Sequence, residues 1–397
     1  MTIRRIRPEE YAEADNIKRV AFLRTVREEQ KNDADAPEEI YHSLWAYFDE
    51  NNKMTARVRD IAYTMFFDGH AVGMCGISAV SSLPEARGKG RVREILRAIL
   101  SESREQGKVF SVLSPFSQPY YQQFGYAKAN RVCRHTVALE QLMPYAKAPF
   151  CARLHQLEDG VDAFDAVHNA ASRRYNMALM RTPRQWKKMM GGDPYIHKDY
   201  RYVFYDAQDK PVGYLIFSPN GGEPLDITVT DLDYLDQNAL FGMLSFLSGL
   251  RAQVRNVTLK MPAEAKFHLY LPNSDLAKAE MITHDMARVL HVEKALSLCK
   301  MPQEKGAFTI AVRDEFLTEN SGVYRVAYQD GRAVSVEKTQ EKADLSLDIA
   351  DFTQLVLGVL PLPCMLYRPT VTLHAPEKLS QFQVVFPEKA VYMADHF

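Results

Sequence analysis

Residues 83–93 read Leu-Pro-Glu-Ala-Arg-Gly-Lys-Gly-Arg-Val-Arg, and the organisation of the chain is worked out from this stretch. The apolar run that precedes it, residues 74–82, predicts a strand. An amphipathic helix is predicted after it, because apolar side chains recur at helical spacing at Val92, Ile95, Leu96, Ile99 and Leu100. A strand, a glycine-bearing basic turn and a helix in this order form a device that can hold an anion.

The turn itself offers three sources of affinity for a negative charge. Gly88 and Gly90 allow the backbone to bend sharply and to approach a ligand closely. The free N–H groups at the start of a helix point towards an anion, and the helix dipole favours negative charge there. Arg87, Lys89 and Arg91 add full positive charges. The pattern predicts a phosphate-binding turn, with a basic surface turn that merely caps the helix as the alternative.

The spacing of the glycines matches neither the GxxxxGK[ST] P-loop nor the GxGxxG dinucleotide motif. It resembles Arg-x-x-Gly-x-Gly/Ala, the pyrophosphate loop of the GNAT superfamily of acyl-CoA N-acyltransferases, except that Val92 stands where Gly or Ala is usual. The resemblance implies that acetyl-CoA binds here with its pyrophosphate on Arg87, Gly88, Lys89, Gly90, Arg91 and Val92. It also implies that backbone groups of Val80 and Ser82 hold the pantetheine and the thioester carbonyl, in a gap where parallel strands splay apart.

Composition limits the classes of function that remain. With 49 basic and 50 acidic residues the net charge is −1, so the chain has no general basic field for nucleic acid or membrane. No apolar run of about 18 residues predicts a membrane span, and no apolar stretch after Met1 predicts a signal peptide. The 5 cysteines and 11 histidines show no CxxC, HxxxH or HExxH spacing. We therefore expect a cytoplasmic protein with reduced thiols and no metal.

The length of 397 residues suggests two to three domains. In the first, residues 1–150, a helix starts at Pro8, a second short helix is expected at residues 41–48, and a hairpin is expected at Asp68-Gly69. A buried strand is expected at residues 109–113. This order is the one expected of a GNAT domain. Acidic residues between Glu28 and Glu39 could attract a cationic acceptor, although a solvated loop explains them equally well.

Residues 120–126 read Tyr-Tyr-Gln-Gln-Phe-Gly-Tyr. An aromatic run ending in Phe-Gly-Tyr after this strand resembles the enhanced-intracellular-survival (Eis) acetyltransferases. In that family the last tyrosine protonates the departing CoA thiolate, so the resemblance implies that Tyr126 is the general acid. A phenol with a pKa near ~10 keeps its proton at pH 7, as such an acid requires. The alternative is an ordinary aromatic residue at the start of a strand, with its hydroxyl on a backbone carbonyl.

The second segment, residues 151–285, repeats the order of strands and helix seen in the first. We expect a helix over residues 161–180, a short helix from Arg184, strands at 200–205, 211–217, 225–232 and 254–259, and a helix at 238–250. At its strand-to-helix junction, residues 230–234 read Thr-Asp-Leu-Asp-Tyr, which is acidic, lacks glycine and should repel pyrophosphate. A degenerate GNAT-like fold that lines the acceptor pocket is expected, with an unrelated α/β domain as the alternative.

The third segment, residues 286–397, opens with Met-Ala-Arg-Val-Leu-His-Val, which resembles the Met-x-Arg-Val-x-Asp-Val junction before the last domain of the Eis family. His291 departs from the usual Asp. The strands and helices that follow look like a sterol-carrier-type α+β domain. The family resemblance implies that the free carboxylate of Phe397 acts as base; with a reference pKa of ~3.3–3.7 it is ionised and would act through water.

Together these features predict an α/β and α+β chain of tandem GNAT folds, the second one degenerate, followed by a sterol-carrier-type domain. The predicted activity is acetyl transfer from acetyl-CoA to primary amines, namely aminoglycoside-type, lysine or polyamine acceptors, by direct attack without an acyl-enzyme. The family implies a homo-hexamer. The rivals are a lipid carrier or scaffold with an inactive GNAT module, and an N-myristoyltransferase, whose chain would end within the second fold.

Overall fold

The computed structural model describes residues 1–23, 38–190, 193–222 and 225–396. Up to residue 130 its elements are β1 Thr2–Arg5, α1 Tyr11–Phe22, α2 Glu38–His42, β2 Leu44–Phe48, β3 Met54–Phe67, β4 His70–Ser82, α3 Arg91–Glu105, β5 Phe110–Leu113, α4 Gln118–Gln122 and β6 Ala127–Lys128.

The middle of the chain contains β7 Val132–Ala138, β8 Cys151–Leu154, α5 Asp162–Ser172, β9 Leu179–Met180, α6 Pro183–Met189, α7 Pro194–His197, β10 Tyr200–Tyr205, β11 Pro211–Asn220, β12 Leu225–Tyr234, α8 Gln237–Ser248, β13 Val254–Pro262, β14 Lys278–Ile282 and β15 Met286–Val289. The last part contains α9 Val292–Leu298, β16 Gly306–Arg313, β17 Gly322–Gln329, β18 Arg332–Thr339, β19 Leu345–Asp348, α10 Ile349–Leu357, α11 Leu362–Met365, β20 Thr372–Leu373 and α12 Leu379–Val385.

These strands form three sheets, and strands that follow one another along the chain do not always belong to the same sheet. The first sheet has the order β1-β2-β3-β4-β5-β15-β6, with β9 beside β3. The second has the order β14-β7-β13-β12-β11-β10-β8, and the third β18-β17-β16-β19-β20. Strand β7, which precedes residue 150, already belongs to the second sheet, and near residue 285 the chain passes from β14 of the second sheet to β15 of the first. Two GNAT-type sheets followed by a smaller α+β domain confirm the predicted fold class.

The hairpin and the helix around residues 68–105 form as their sequence predicts. Asp68 and Gly69 both have positive φ, +48° and +83°, the twist that a two-residue hairpin needs between β3 and β4. Helix α3 buries Ile95, Leu96, Ile99 and Leu100 against the first sheet. This apolar stripe determines which face of α3 packs on the sheet, and the short connection from Ser82 to Arg91 places the N-terminus of α3 near the end of β4.

The helix expected at residues 41–48 is wrong in its second half. Leu44–Phe48 is the strand β2, paired antiparallel with β1 and β3, and all five of its residues are buried. A strand covered on both faces shows no alternation, so the aromatic run gave no period-2 signal.

The helix expected over residues 161–180 is too long by its last eight residues. Helix α5 ends at Ser172, and Leu179–Met180 is the short strand β9, paired with β3. Between them Met177 has φ +75°, which a helix does not allow. The apolar residues at this end are buried because they extend the first sheet, so tertiary packing overrides the helical pattern.

The third domain packs against the first sheet and fills its own interior with aromatic rings. One continuous apolar core joins Phe110 of β5 to Phe308 of β16 and to Phe382 and Phe386 of the last helix. The ring of Phe308 lies 5.3 Å from that of Phe382 and 5.6 Å from that of Phe386, centroid to centroid. These contacts occupy the space between sheet and helices with side chains rather than leaving it open.

Within the described residues, no helix combines the length and the apolar content needed to cross a bilayer. In the same part of the chain, no group of three or more His, Cys, Asp or Glu side chains is placed so that it could hold a metal ion.

Candidate active site

The glycine-bearing turn lies exposed at the N-terminus of α3, as its sequence predicts. Gly88 and Gly90 have φ values of +73° and +74°, and a Cβ added to either would meet no atom within 4 Å. Glycine is therefore needed for backbone conformation rather than for lack of space. Gly90 is the N-cap of the helix, and without a side chain it leaves the first amides of a 15-residue helix open to an anion.

Beside this turn, strands β4 and β5 separate. Their parallel pairing runs from Met74 opposite Phe110 to Ile77 opposite Leu113, and there β5 ends while β4 continues to Ser82. The part of β4 that extends beyond β5, and that pairs only with β3 on its other side, includes the two predicted backbone contacts, Val80 and Ser82. The edge of β4 that faces the gap thus has backbone N–H and C=O groups available to a ligand lying between the strands.

A β-bulge turns the backbone of β4 inside this part of the strand. On the partner strand β3, Arg57 pairs with Ser81 and Arg59 with Ser78, so two residues of β4 lie opposite one of β3. Ala79, one of the two, has φ +49°. Bulges of this kind redirect backbone groups next to binding sites. Here the bulge includes Val80, whose backbone groups are predicted to contact the thioester.

Tyr126 lies fully buried on the seam between β4 and β5. Its hydroxyl is 2.7 Å from Ser111 Oγ, and Ser111 Oγ donates a hydrogen bond of 2.9 Å to the carbonyl of Cys75. Because the serine proton is committed to that carbonyl, the phenol donates its own proton to Ser111. Burial raises the pKa of Tyr126 far above its usual value, so the phenol is neutral at physiological pH. The bond to a serine hydroxyl differs from the backbone carbonyl that the alternative interpretation expected.

The turn that carries Tyr126 is held in place by contacts with the third domain. A Cβ added to Gly125, whose φ is +78°, would lie 2.7 Å from Cγ2 of Ile349 and 3.1 Å from Nη1 of Arg288. The fully buried Arg288 donates to the Phe124 carbonyl through Nη1 and pairs with Asp314 at 2.5 Å through Nη2. Arg288 belongs to the 286–292 motif, so that motif joins the Phe-Gly-Tyr turn to the third domain.

Phe397, the other predicted catalytic residue, lies outside the described residues, as does most of the acidic cluster between Glu28 and Glu39. The segment that leads to Phe397 is described up to His396. Its backbone exchanges hydrogen bonds with Asn176, through Ala390 O at 2.9 Å and Tyr392 N at 3.0 Å. The side chain of Asn130 brackets Met393, accepting from its N–H at 3.0 Å and donating to its carbonyl at 2.8 Å.

This terminal segment, residues 390–396, runs along a gap in the second sheet that corresponds to the gap beside Ser82. Strands β12 and β13 pair in parallel up to Val229 opposite Leu259, and beyond this point β12 continues to Tyr234 and β13 to Pro262 without pairing with each other. A cavity of about 430 Å³ lies here, lined by residues 229–232, Lys260 and the terminal segment. The same cavity reaches Ser114 and Asp285. Since Ser114 directly follows Leu113, the cavity extends to the place where β4 and β5 part.

The helix that follows β12 lacks the features of an anion site. Asp236 is its N-cap, and the carboxylate accepts from the N–H of Ala239 at 2.9 Å. This carboxylate satisfies an amide and places negative charge at the helix start. The residues before it, Asp231 and Asp233, are buried. The geometry agrees with the expectation that this junction repels pyrophosphate.

A buried network of charged and polar side chains surrounds those two aspartates. Arg181 binds both oxygens of Asp231, at 2.6 and 3.2 Å, and also Asp395 at 2.8 Å. Burial alone would raise the pKa of Asp231, but the charge of Arg181 holds it below its usual value. The hydroxyl of Tyr214 lies 2.9 Å from both Asp231 and Asp233.

His168 completes this network. Its Nε2 lies 2.8 Å from the carbonyl of Leu179 and its Nδ1 2.7 Å from Asp233. Both partners accept, so both ring nitrogens donate and the imidazole is protonated. Burial alone would lower the pKa of His168, but the hydrogen bond with Asp233 outweighs it and the pKa is raised.

The structure therefore brings Val80, Ser82, Tyr126 and the turn at residues 87–92 into one domain. Three contributors were missed from the sequence: Ser111 beneath the phenol, Arg288 beneath Gly125, and the pair formed by Arg181 and Asp395. Arg288 was inside a quoted motif and Asp395 beside the predicted base, but nothing in the sequence gave either a partner.

Comparison with known proteins agrees with this architecture. An acetyltransferase (GNAT) domain model matches residues 2–129, a second acetyltransferase (GNAT) model matches residues 177–289, and a sterol carrier protein domain model matches residues 292–394. An uncharacterized N-acetyltransferase of Streptomyces avermitilis is 25% identical over 309 residues, covering 73% of this chain and 73% of the relative.

Two solved structures are similar over the full length of both chains. The GCN5-related N-acetyltransferase from Anabaena variabilis has a TM-score of 0.87 at 22% identity and covers 100% of each chain. Eis1 from Mycobacterium abscessus has a TM-score of 0.81 at 16% identity, again with 100% of each chain covered. At these identities the two structures establish the fold, including the presence and order of all three domains.

Proposed function

Because two acetyltransferase (GNAT) domain models match this chain, over residues 2–129 and 177–289, we propose that it is an Eis-like N-acetyltransferase that moves the acetyl group of acetyl-CoA directly onto a primary amine. Acceptors of the aminoglycoside type, lysine side chains and polyamines are the candidates. The observation that carries the proposal is the open N-terminus of α3, with Gly88 and Gly90 at positive φ, beside the gap between β4 and β5. No such combination occurs at the corresponding junction of the second domain, where Asp236 caps the helix.

In this proposal the first domain holds the acetyl donor with its own backbone and cations. The pyrophosphate lies on the amides at the start of α3, next to Arg87, Lys89 and Arg91. Val80 and Ser82 offer backbone hydrogen bonds to the pantetheine and polarise the thioester carbonyl from the unpaired edge of β4. The side chain of Val92 is only partly buried at the helix start, so its bulk relative to Gly or Ala does not close the turn.

The amine attacks the thioester carbonyl without an acyl-enzyme. The thiol nearest in sequence to the gap, Cys75, is fully buried, and burial raises its pKa to about 11. A thiol in that state supplies almost no thiolate at neutral pH and is a poor nucleophile. Its carbonyl instead accepts the proton of Ser111, which in turn accepts the proton of Tyr126.

Tyr126 is the proposed general acid. The departing thiolate carries a full negative charge, so a nearby proton donor stabilises it. Burial of Tyr126 guarantees that the phenol is protonated when the thiolate forms. Support for its position comes from Arg288, which ties the Phe124 carbonyl to Asp314 and so fixes the turn in one conformation.

The proposed base is the terminal carboxylate of Phe397, acting on the acceptor ammonium through water. Support comes from the described residues before it, because residues 390–395 are held by Asn176, Asn130 and Arg181 on the wall of the 430 Å³ cavity. The cavity is the proposed route of the acceptor. Its lining includes the carboxylate of Asp285, which favours a cationic amine.

The proposal includes a homo-oligomer, a hexamer by resemblance to the family. The edge strand β14 supports it, since Met281 is 59% exposed there and Leu276 just before it is 64% exposed. An edge strand that exposes apolar side chains offers a surface on which another chain can pair. The rival function, a lipid carrier, finds little support in a third domain whose interior is filled by the rings of Phe308, Phe382 and Phe386.

Acetyl-CoA turnover with a panel of amines tests the mechanism. We expect Tyr126→Phe to lower kcat about 100-fold or more, because the thiolate loses its proton donor, with the dissociation constant of acetyl-CoA unchanged. Tyr121→Phe is the matched control, since its ring lies 6.1 Å from that of Tyr126 in the same aromatic cluster.

A chain extended by one residue after Phe397 tests the base, since the extension moves the free carboxylate, and we expect turnover to fall. Wild-type protein that releases no CoA with any amine contradicts the proposed function. An extended chain as active as wild type would contradict the terminal base alone, and Tyr126→Phe with normal kcat would contradict the general acid alone.

A further inference from the structure

The chain's own terminal segment lines the cavity at the gap between β12 and β13. Val391 pairs in parallel with Asn176, and its carbonyl accepts from the N–H of Arg131 at 3.2 Å. Val391, Tyr392 and Met393 are all buried. Up to Met393 the segment is therefore fixed by its backbone. Beyond Met393 the last described anchor is the side chain of Asp395.

The side chain of Asp395 is held by Arg181, which also binds Asp231. The Arg181 side chain is only 1% exposed; its Nη1 and Nη2 bind Asp231, and its Nε donates to Asp395 Oδ1 at 2.8 Å. The guanidinium also lies over the ring of Trp186, 4.7 Å from the centroid. Its bidentate bond to Asp231 and the ring beneath it fix the plane of the guanidinium. Only the bond to Asp395 is contributed by the terminal segment.

We propose that Arg181 is a positioning residue, which through Asp395 holds the end of the chain at the cavity where the acceptor amine is acetylated. The inference rests on the proposed function, because residue 397 is the proposed base. Two residues span at most ~7 Å, so an anchor at Asp395 determines where the carboxylate of Phe397 can reach. Without that anchor, the last fixed point is Met393, four residues from the end.

The chemistry of the anchor supports a role in register rather than in bulk stability. Burying one arginine between two carboxylates costs desolvation that their attraction barely repays, so such networks add little to stability. Their documented benefit is to select one arrangement among several. Here the second oxygen of Asp395 is buried and has no hydrogen-bond partner among the described residues. A single directional bond thus sets the orientation of that carboxylate.

Asp395→Ala tests the anchor with the least risk to folding, because it leaves the bond between Arg181 and Asp231 in place. Loss of a charge-assisted bond should weaken the seating of the terminal segment about 10-fold or more. We expect kcat to fall several-fold with the KM for acetyl-CoA unchanged, since the first domain is untouched. A carboxypeptidase that removes aromatic ends should release Phe397 about 10-fold faster. Asp395→Asn, which keeps an acceptor oxygen, should recover part of both effects.

Glu388→Gln is the matched control. It breaks the exposed ion pair with Arg131 just before the segment enters the gap, and we expect wild-type kcat and cleavage. Arg181→Lys, which cannot bind two acids in one plane, should behave like Asp395→Ala if it folds.

The outcomes separate the anchor from the base. Asp395→Ala with wild-type kcat and wild-type cleavage overturns the inference, whatever the extended chain does. An inactive extended chain combined with a fully active Asp395→Ala overturns the anchor and leaves the base standing. An active extended chain combined with a slow, rapidly cleaved Asp395→Ala overturns the base, while the anchor stands as the device that holds a wall of the acceptor cavity. If the wild type shows no turnover at all, the proposed function fails and the cleavage ratio alone decides the anchor.

Discussion

The two gaps in this molecule, one between β4 and β5 and the other between β12 and β13, have the same topology and opposite chemistry. In each, two parallel strands pair for a few residues and then part, and a helix follows the longer strand. At the first gap the helix begins at Gly90, with exposed cations beside it. At the second the helix begins at Asp236, and the chain's own terminal segment lies along the gap. What decides the ligand is therefore the cap of one helix and the occupant of the space beside it, not the fold.

The largest effect should come from giving the first gap the cap of the second. Aspartate tolerates the left-handed backbone at φ +74°, so Gly90→Asp should fold with little strain. Its carboxylate would lie within about 5 Å of a pyrophosphate, a repulsion of about 2 to 3 kcal/mol at an intermediate dielectric. We expect acetyl-CoA to bind about 100-fold more weakly by calorimetry.

Gly90→Asn provides the control for that prediction, because it has the same shape without the charge. It should weaken binding only a few-fold, and raising the salt concentration should narrow the difference between the two variants. If Gly90→Asp binds acetyl-CoA as tightly as Gly90→Asn does, the helix start of α3 is not the pyrophosphate site.

A smaller effect is expected from the reverse change at the second gap. Asp236→Ala removes the carboxylate that accepts from Ala239, which should cost about 0.5–2 kcal/mol of stability. The thermal midpoint should therefore fall, while the dissociation constant of acetyl-CoA stays at the wild-type value. Asp236→Ser keeps a capping oxygen and should restore most of the midpoint. A weakening of acetyl-CoA binding comparable to that of Gly90→Asp would place donor binding at the second domain instead.

The first gap could be predicted from sequence because its features are local. Glycines in a basic turn, the apolar stripe of α3 and the Asp68-Gly69 hairpin each depend on residues only a few positions apart. The strand Leu44–Phe48 was wrongly predicted as part of a helix for the opposite reason. Its burial on both faces depends on α1 and α3, which pack on opposite faces of the strand and are distant from it along the chain. A fully buried run has no period that would distinguish strand from helix.

The second gap and the support of the site could not be predicted because their contacts are distant in sequence. The bond from Arg288 to the Phe124 carbonyl spans 164 residues, and the bond from Arg181 to Asp395 spans 214. The acidic junction at Asp231 and Asp233 predicted a lost nucleotide site, and this stays a prediction. The prediction that the end of the chain lines this space would have required the topology of both sheets, because β7 and β15 each join the sheet of the neighbouring domain.

The smallest predicted effect is a pH dependence of the protein's stability, which arises from His168 in the buried network beside the second gap. His168 is protonated between Asp233 and the Leu179 carbonyl, and its pKa is raised above the usual 6.5. Below that pH both the folded and the unfolded chain bind the proton, so its stabilising contribution is complete. As the pH rises the unfolded chain loses the proton first, and the contribution disappears as the pH passes the folded pKa.

Other groups also titrate in this range, so the prediction concerns a difference between proteins. His135 is shifted in the opposite direction, because burial lowers its pKa to about 4, and its contribution grows as the pH rises. We therefore compare the thermal midpoint of wild type with that of His168→Gln from pH 5.5 to 8.5. The difference in thermal midpoint between the two proteins should be largest at low pH and should decrease as the pH rises. His374→Gln, an exposed histidine in the third domain, should track the wild type throughout. If the difference in thermal midpoint between wild type and His168→Gln did not change with pH, His168 would not be protonated. The charge at the second gap would then differ from that at the first gap only through its aspartates.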